Sequence, residues 1–330
     1  MFKPHRRGAL AAIIAAATFP TLGPAAAQSW PTRAISMVVP FGAGSASDTA
    51  GRVVAARMSE LLGQQVVVEN TPGAGGMTGS ARVVNAPPDG YMFSFGSTDT
   101  IAINQTLYKK PLYNAATDFA PVTLVVDQPM ILIVRANLPV NTLQEFIAYA
   151  KANQDKMQFG SSGVGSSSHL GCTRVNLALG IHPQHVPYRG SGQAMQDLAG
   201  GRIDYFCALG AAAVGPLTSK TAKAIALLGR ERSPLFPDVP STQEQGLPGV
   251  DTYFWSGFLY PKGTPDAIVE KLQKATSDAL DTPAVQERLK NVGTLPVPPE
   301  RRSTDYLKKF VVDEIAAWEK TIKAAGVSID

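Results

Sequence analysis

The 330-residue sequence is poor in the residues that carry most metal and covalent chemistry. It has two cysteines, four histidines and three tryptophans. There is no HExxH, and the cysteine spacing is not that of a metal motif, so no zinc site is expected. It also lacks an excess of either charge. The formal net charge of +4 owes most of its sign to Lys3, Arg6 and Arg7, and without them 27 basic residues face 26 acidic ones. With no basic block in the rest of the chain, nucleic acid and an anionic membrane surface are excluded as partners. No Lys-Ser/Thr follows any glycine-rich stretch, which excludes a Walker loop. The one long apolar run, Ala9–Phe19, is shorter than the roughly 20 residues a membrane-spanning helix needs.

That run has a different use. Basic residues precede it and Ala25-Ala26-Ala27 comes after it, which is the pattern of a secretory signal with an A-x-A cleavage site. Residues 1–27 are therefore expected to be removed and the mature chain exported. In an oxidising compartment Cys172 and Cys207 are expected to pair, the alternative being two separate buried thiols. The bridge would close a loop of about 35 residues and stabilise the fold by roughly 3–4 kcal/mol.

Short β-like runs alternate with helical patterns. Ala34–Val39, Gln65–Asn70 and Tyr91–Gly96 read as strands, with a helix over Thr49–Leu62 and a glycine-rich helical start over Pro72–Ala86. The rhythm restarts after the apolar segment Asp118–Arg135, which Pro129 interrupts. Helix Thr142–Asn153 comes next, then strand Met157–Ser162, a helix over about Ser167–Leu179 and strand Gln184–Tyr188. Helix Gly192–Gly201, strand Ile203–Ala208 and the run Lys223–Leu228 complete this part. Val250–Pro261 is expected to carry the chain back, and Pro265–Gly326 is helical and amphipathic. The expectation is an α/β protein of two lobes, each a mostly parallel sheet flanked by helices, joined by two crossings. Lobe one takes residues 28–128 and 251–330, and lobe two takes residues 129–250. One large doubly wound sheet is the alternative.

In open α/β sheets ligands sit beyond the C-terminal ends of strands. Four loops fall there and are rich in small polar residues: Phe41–Asp48, Gly96–Thr100, Gly160–His169 and the segment Phe206–Gly210. Glycine lets backbone N–H groups turn inward, and a helix N-terminus adds partial positive charge, so such loops hold an anion without any Lys or Arg. Gly42-x-Gly44-x-x-Ser47 lacks the last glycine of a dinucleotide fingerprint. Asp48 reads as a helix cap, with direct ligand contact as the alternative. Ser167 or Ser168 reads as the cap of the next loop's helix. A serine hydrolase would need G-x-S-x-G and an acid–base pair, and Gly160-Ser161-Ser162-Gly163 does not match. His169 reads as a helix residue bonded to a neighbouring loop, His182 and His185 as structural or exposed. Phe41 is the aromatic residue best placed to line a cleft, and Arg189 reads as a surface or interlobe ion-pair residue.

The ordered series of motifs resembles the Bug-type solute-binding proteins of tripartite tricarboxylate transporters. The residues that carry the resemblance are VVPFGAGSASD (Val38–Asp48), LLGQQVVVENTPGAGG (Leu61–Gly76), PPDGYMFSFGST (Pro87–Thr98) and DFAPVTLV (Asp118–Val125). The series continues with FGSSGVGSSSHL (Phe159–Leu170), HVPYRGSGQAMQDLAGGRIDY (His185–Tyr205), PDVPSTQEQGLPG (Pro237–Gly249) and PKGTP (Pro261–Pro265).

The resemblance implies a periplasmic, monomeric, type II two-lobed binding protein without cofactor or enzymatic activity. It would hand a small carboxylate to a membrane permease, or alternatively report it to a sensor kinase. Carried onto this sequence, the ligand contacts are Phe41, Gly42, Ala43, Gly44, Ser45, Asp48, Ser97 and Thr98 on lobe one. On lobe two they are Ser161, Ser162, Ser166 and Ser167, with Cys207 and Ala208 bordering the cleft. The small carboxylate would be a dicarboxylate, a tricarboxylate or an aromatic acid, and Cys207-Ala208, near a position where the family often has an acid, points to a ligand without an ammonium group, a dicarboxylate or an aromatic acid.

Overall fold

The computed structural model describes Met1, residues 30–188 and residues 190–330. Apart from Met1, the expected export signal falls outside the described residues, as does Arg189.

The strands are β1 (Ile35–Val39), β2 (Val66–Asn70), β3 (Met92–Ser97), β4 (Phe119–Arg135), β5 (Gln158–Ser161), β6 (Gln184–Pro187), β7 (Tyr205–Leu209), β8 (Ala222–Leu227), β9 (Tyr253–Pro261) and β10 (Leu295–Pro296). The helices are α1 (Ala46–Leu62), α2 (Met77–Val84), α3 (Asn104–Leu107), α4 (Leu143–Asn153), α5 (Ser167–Leu179), α6 (Ser191–Ala199), α7 (Gly210–Thr218), α8 (Asp266–Leu280), α9 (Pro283–Asn291) and α10 (Thr304–Ala325). A π-helical turn, Thr98–Ile103, links β3 to α3.

Neighbouring strands run in the order β2-β1-β3-β9-β4-β7-β5-β6. β1 pairs in parallel with β2 and β3, and β5 in parallel with β6 and β7. The long strands β4 and β9 cross antiparallel between these parallel sets. β4 runs straight through Pro129, where the sequence suggested an interruption. Phe119–Pro129 pairs with β9, and Met130 onward pairs with β7 and β8. Pro129 therefore sits where β4 changes partners, a place where a missing N–H interrupts no regular ladder.

The hydrogen-bonded ladder is continuous through β4, but the apolar cores lie in separate layers. Around β1, β3 and the first half of β4, one layer packs Met37, Val54, Phe93, Phe258 and Leu272, and the opposite layer packs Ile101, Trp255, Leu307 and Trp318. Around the second half of β4, one layer packs Leu132, Phe146, Val175 and Tyr205, and the other packs Ile133, Leu198 and Phe206. This is a two-lobed α/β architecture. Cys172 of α5 and Cys207 of β7 are bonded inside the second lobe, with Cα atoms 5.3 Å apart.

Candidate functional site

β1 and β5 each end in a glycine-rich loop that opens a helix, and the two loops are built alike. Gly42-Ala43-Gly44-Ser45-Ala46-Ser47-Asp48 matches Gly163-Val164-Gly165-Ser166-Ser167-Ser168-His169 position by position as G-x-G-S-x-S-x. In the first loop Gly44 has φ +80°, and in the second Gly165 has φ +76°, a left-handed conformation that glycine adopts without penalty. Ser45 caps α1 by accepting the Asp48 N–H at 3.2 Å, and Ser166 caps α5 by accepting the His169 N–H at 3.3 Å. The Ser45 N–H donates to the Gly42 carbonyl and the Ser166 N–H to the Gly163 carbonyl, both at 3.2 Å. The Gly44 N–H donates to Asp48 Oδ2 at 2.9 Å, and the Gly165 N–H donates to His169 Nδ1 at 3.1 Å.

With these bonds made, a set of donors is left over. Among the described residues, the N–H groups of Ala43 and Ala46 on one loop and of Val164 and Ser167 on the other have no acceptor. All four residues line one cleft of about 1060 Å³. The cleft is thus fed by two helix N-termini, whose partial positive charge favours an anion by roughly 0.3–2 kcal/mol each. The lobes also touch beside it, since a Cβ at Gly165 would collide with Leu107 Cδ2.

The two loops are backed by different chemistry. Asp48 is buried, which pushes its carboxyl up, but hydrogen bonds from Arg52, the Gly44 N–H and Asn70 outweigh this and hold it below the usual range. Its Oδ1 accepts from Arg52 and Asn70, each at 2.9 Å. His169 stacks on His185 with ring centroids 4.0 Å apart, and Phe159 stacks on His185 at 4.8 Å. Burial, and then the neighbouring His185, push His169 down to about 4, so this backing is neutral at pH 7.

Of the expected contact residues, Phe41, Gly42, Ala43, Gly44, Ser45, Ser162, Ser166 and Ser167 line the cleft. Asp48, Ser97, Thr98, Ser161 and Ala208 do not, because they are buried inside the protein, the Ser97 hydroxyl without a hydrogen-bond partner. Asp48 closes its own loop, and Ser45, not Asp48, is the cap, so α1 begins three residues before the expected Thr49. Ser97 is fully buried and donates its N–H to Thr100 Oγ1 at 3.0 Å. Thr98 Oγ1 accepts the Trp255 N–H at 2.9 Å, tying the π-helical turn to β9. Ala208 and Cys207 are core residues of β7. Ser161 is buried, with its Oγ 2.6 Å from His185 Nε2. That serine–histidine pair is part of the aromatic stack, and among the described residues no carboxylate hydrogen-bonds His185. The cap of α5 is Ser166, one residue before the first of the two expected; Ser168 instead bonds Ser162.

Sequence reasoning missed other parts of the wall. Asp99 contributes from the π-helical turn, Asn104 and Tyr108 from the start and the C-cap of α3, Ala211, Ala212, Val214 and Gly215 from α7, and Asn291–Gly293 from the end of α9. Asp99 lies within the small polar loop Gly96–Thr100, and an acid amid such residues was the available signal. The α7 and α9 segments carry no polar motif.

Comparison with known proteins agrees with this architecture. The model of the TctC family, described as the tripartite tricarboxylate transporter family receptor, matches residues 50–327. The structure of the periplasmic binding protein BugD is 37% identical, with a TM-score of 0.77 over 91% of this chain and 99% of that one. MatC from Rhodopseudomonas palustris, solved with bound malate, is 38% identical, with a TM-score of 0.77 over 89% of this chain and 100% of the other. A second R. palustris protein, solved with adipate, is 33% identical, with a TM-score of 0.80 over 91% and 99%. The chain belongs to the TctC family of tripartite tricarboxylate transporter receptors and is a solute-binding protein, not an enzyme.

Proposed function

We propose that the protein captures a small carboxylate in the cleft between its lobes, outside the cytoplasmic membrane, and presents it to a tripartite tricarboxylate permease. The observation that carries this reading is the set of open N–H donors at Ala43 and Ala46 on one lobe and at Val164 and Ser167 on the other, all lining one cleft. A carboxylate has two oxygens and about four lone-pair sites, so one group can accept from both lobes at once. Ligand contact is assigned to Phe41, Gly42, Ala43, Gly44, Ser45, Ser162, Ser166 and Ser167. Asp48, Ser97, Thr98, Ser161 and Ala208 are assigned to holding those residues in place. A ligand that bridges the lobes binds the closed form better than the open one, and that difference drives closure. The malate and adipate held by the two R. palustris relatives support a carboxylate as ligand. The family name and the periplasmic binding protein BugD support the permease as partner and the periplasm as location.

A thermal-shift screen of the ligand-free protein against carboxylates and neutral sugars, confirmed by calorimetry, tests this. Saturable stabilisation by a carboxylate is expected, and a response to sugars alone would contradict it. Replacing Ser166 by Ala, which loosens the cap that presents the Ser167 N–H, should weaken binding by about 1–2 kcal/mol.

A further inference from the structure

The cleft carries one feature that a site for a plain carboxylate does not need. Among the described residues that line it, Asp99 is the one with a charged side chain. It lies in the first turn of the π-helical segment after β3, and its backbone carbonyl accepts the Asn104 N–H. Its carboxylate makes no hydrogen bond and no ion pair to any described residue, and Oδ1 is buried without a partner. Asp48, which is more deeply buried, is fully engaged by Arg52, Asn70 and Gly44, so burial does not by itself leave an acid without a partner. A half-buried carboxylate without a partner is costly to ionise, and desolvation alone pushes Asp99 up to about 7. A cation brought against it removes that cost, whereas a second anion adds to it.

Resting on the proposed carboxylate function, we propose that Asp99 is a specificity-determining residue that receives a ligand ammonium, so that the solute is a zwitterionic amino acid. Its carboxylate lies at the N–H groups of the two loops and its ammonium against Asp99. The site then has donors where the ligand is negative and an acid where it is positive. A dicarboxylate offers Asp99 a like charge instead. This reverses the expectation drawn from Cys207-Ala208, where the absence of an acid on β7 pointed away from an amino group. The acid is supplied by the other lobe.

The test is calorimetry on three ligand pairs that differ only by an ammonium in place of hydrogen: L-aspartate and succinate, L-glutamate and glutarate, L-phenylalanine and 3-phenylpropanoate. Wild type is expected to bind the amino member of at least one pair at least tenfold more tightly. In Asp99→Asn that member should weaken at least tenfold while its partner holds or tightens. The wild-type ratio is read without any variant, and Asp99→Ser serves as a second substitution if the asparagine variant folds poorly. A wild-type preference for the ammonium-free acids, or a ratio unchanged by both substitutions, would overturn the role of Asp99 while leaving the carboxylate reading standing. Failure of all six acids to bind would overturn the role of Asp99, and the carboxylate reading falls with it only if malate and adipate also fail to bind.

Discussion

The loops Gly42–Asp48 and Gly163–His169 share a left-handed third residue, a serine cap and three matching hydrogen bonds, yet they are anchored by opposite means. An ionised carboxylate held by Arg52 and Asn70 backs the first. A neutral imidazole in an aromatic stack backs the second. The same donor array can thus be built on a fixed charge or on a neutral ring, so the anion site is a property of the backbone. The side chain at the last position of the repeat decides instead under what conditions each lobe keeps its half of the site.

The largest asymmetry to exploit is covalent. Among the described residues the disulfide belongs to the second lobe, and it ties α5, whose N-terminus faces the cleft, to β7. Reduction, or Cys172→Ala with Cys207→Ala, should cost about 4 kcal/mol by loop entropy. In urea unfolding followed lobe by lobe with hydrogen exchange, the loss should fall on the second lobe first. Next in size, Asp48→Ala leaves the Gly44 N–H and the Asn70 amide without their acceptor and should destabilise the first lobe by about 3 kcal/mol. The midpoint of its chemical unfolding reads this directly.

Acid should act the other way round. An imidazole kept neutral by the fold adds stability above its unfolded pKa and gives it up as pH falls toward its folded pKa. For His169 that window runs from 6.5 down to about 4 and is worth up to about 3 kcal/mol. Asp48, held below 3.8, keeps its contribution throughout that window and loses it only in stronger acid. Asp99, pushed up to about 7, stabilises the fold as pH falls over the same range, so a global melting temperature mixes opposing effects. The ratio of amide exchange at Gly165 to that at Gly44 separates them, and it should rise as the pH is lowered from 6.5 to about 4.

The smallest contrast concerns the two left-handed glycines. Gly44→Ala meets no atom within 4 Å and should cost only the backbone penalty of about 1–2 kcal/mol. Gly165→Ala adds a collision with Leu107 of the other lobe, so it should cost about 1–3 kcal/mol more, or hold the lobes apart and weaken ligand binding. Comparing the unfolding midpoint and ligand affinity of the two variants checks both routes.

Much of the fold was legible because its cause is local. Alternating apolar runs depend on neighbours in sequence, and they marked β1, β2, β3, α1, α4 and α5 to within a few residues. The passage of β4 through Pro129 was not legible, since it depends on β9 giving way to β7 and β8 on either side of one residue. The loops that form the site were visible as glycine and serine clusters. Which of their serines face the cleft was not, because Ser97 and Ser161 look like Ser45 and Ser166 until the burial of their strands is known. Asn291–Gly293 joins the wall where Gly293 packs against Gly210, a contact between residues far apart in sequence.

The central claim is that one carboxylate is held by both loops together. Backbone amide NMR of the protein, titrated with whichever of the six acids binds, tests it most directly. If both loops hold the carboxylate, the amide protons of Ala43 and Ala46 and those of Val164 and Ser167 all move downfield along one binding curve. Shifts confined to one loop, or saturation of the ligand with neither pair moving, would contradict it.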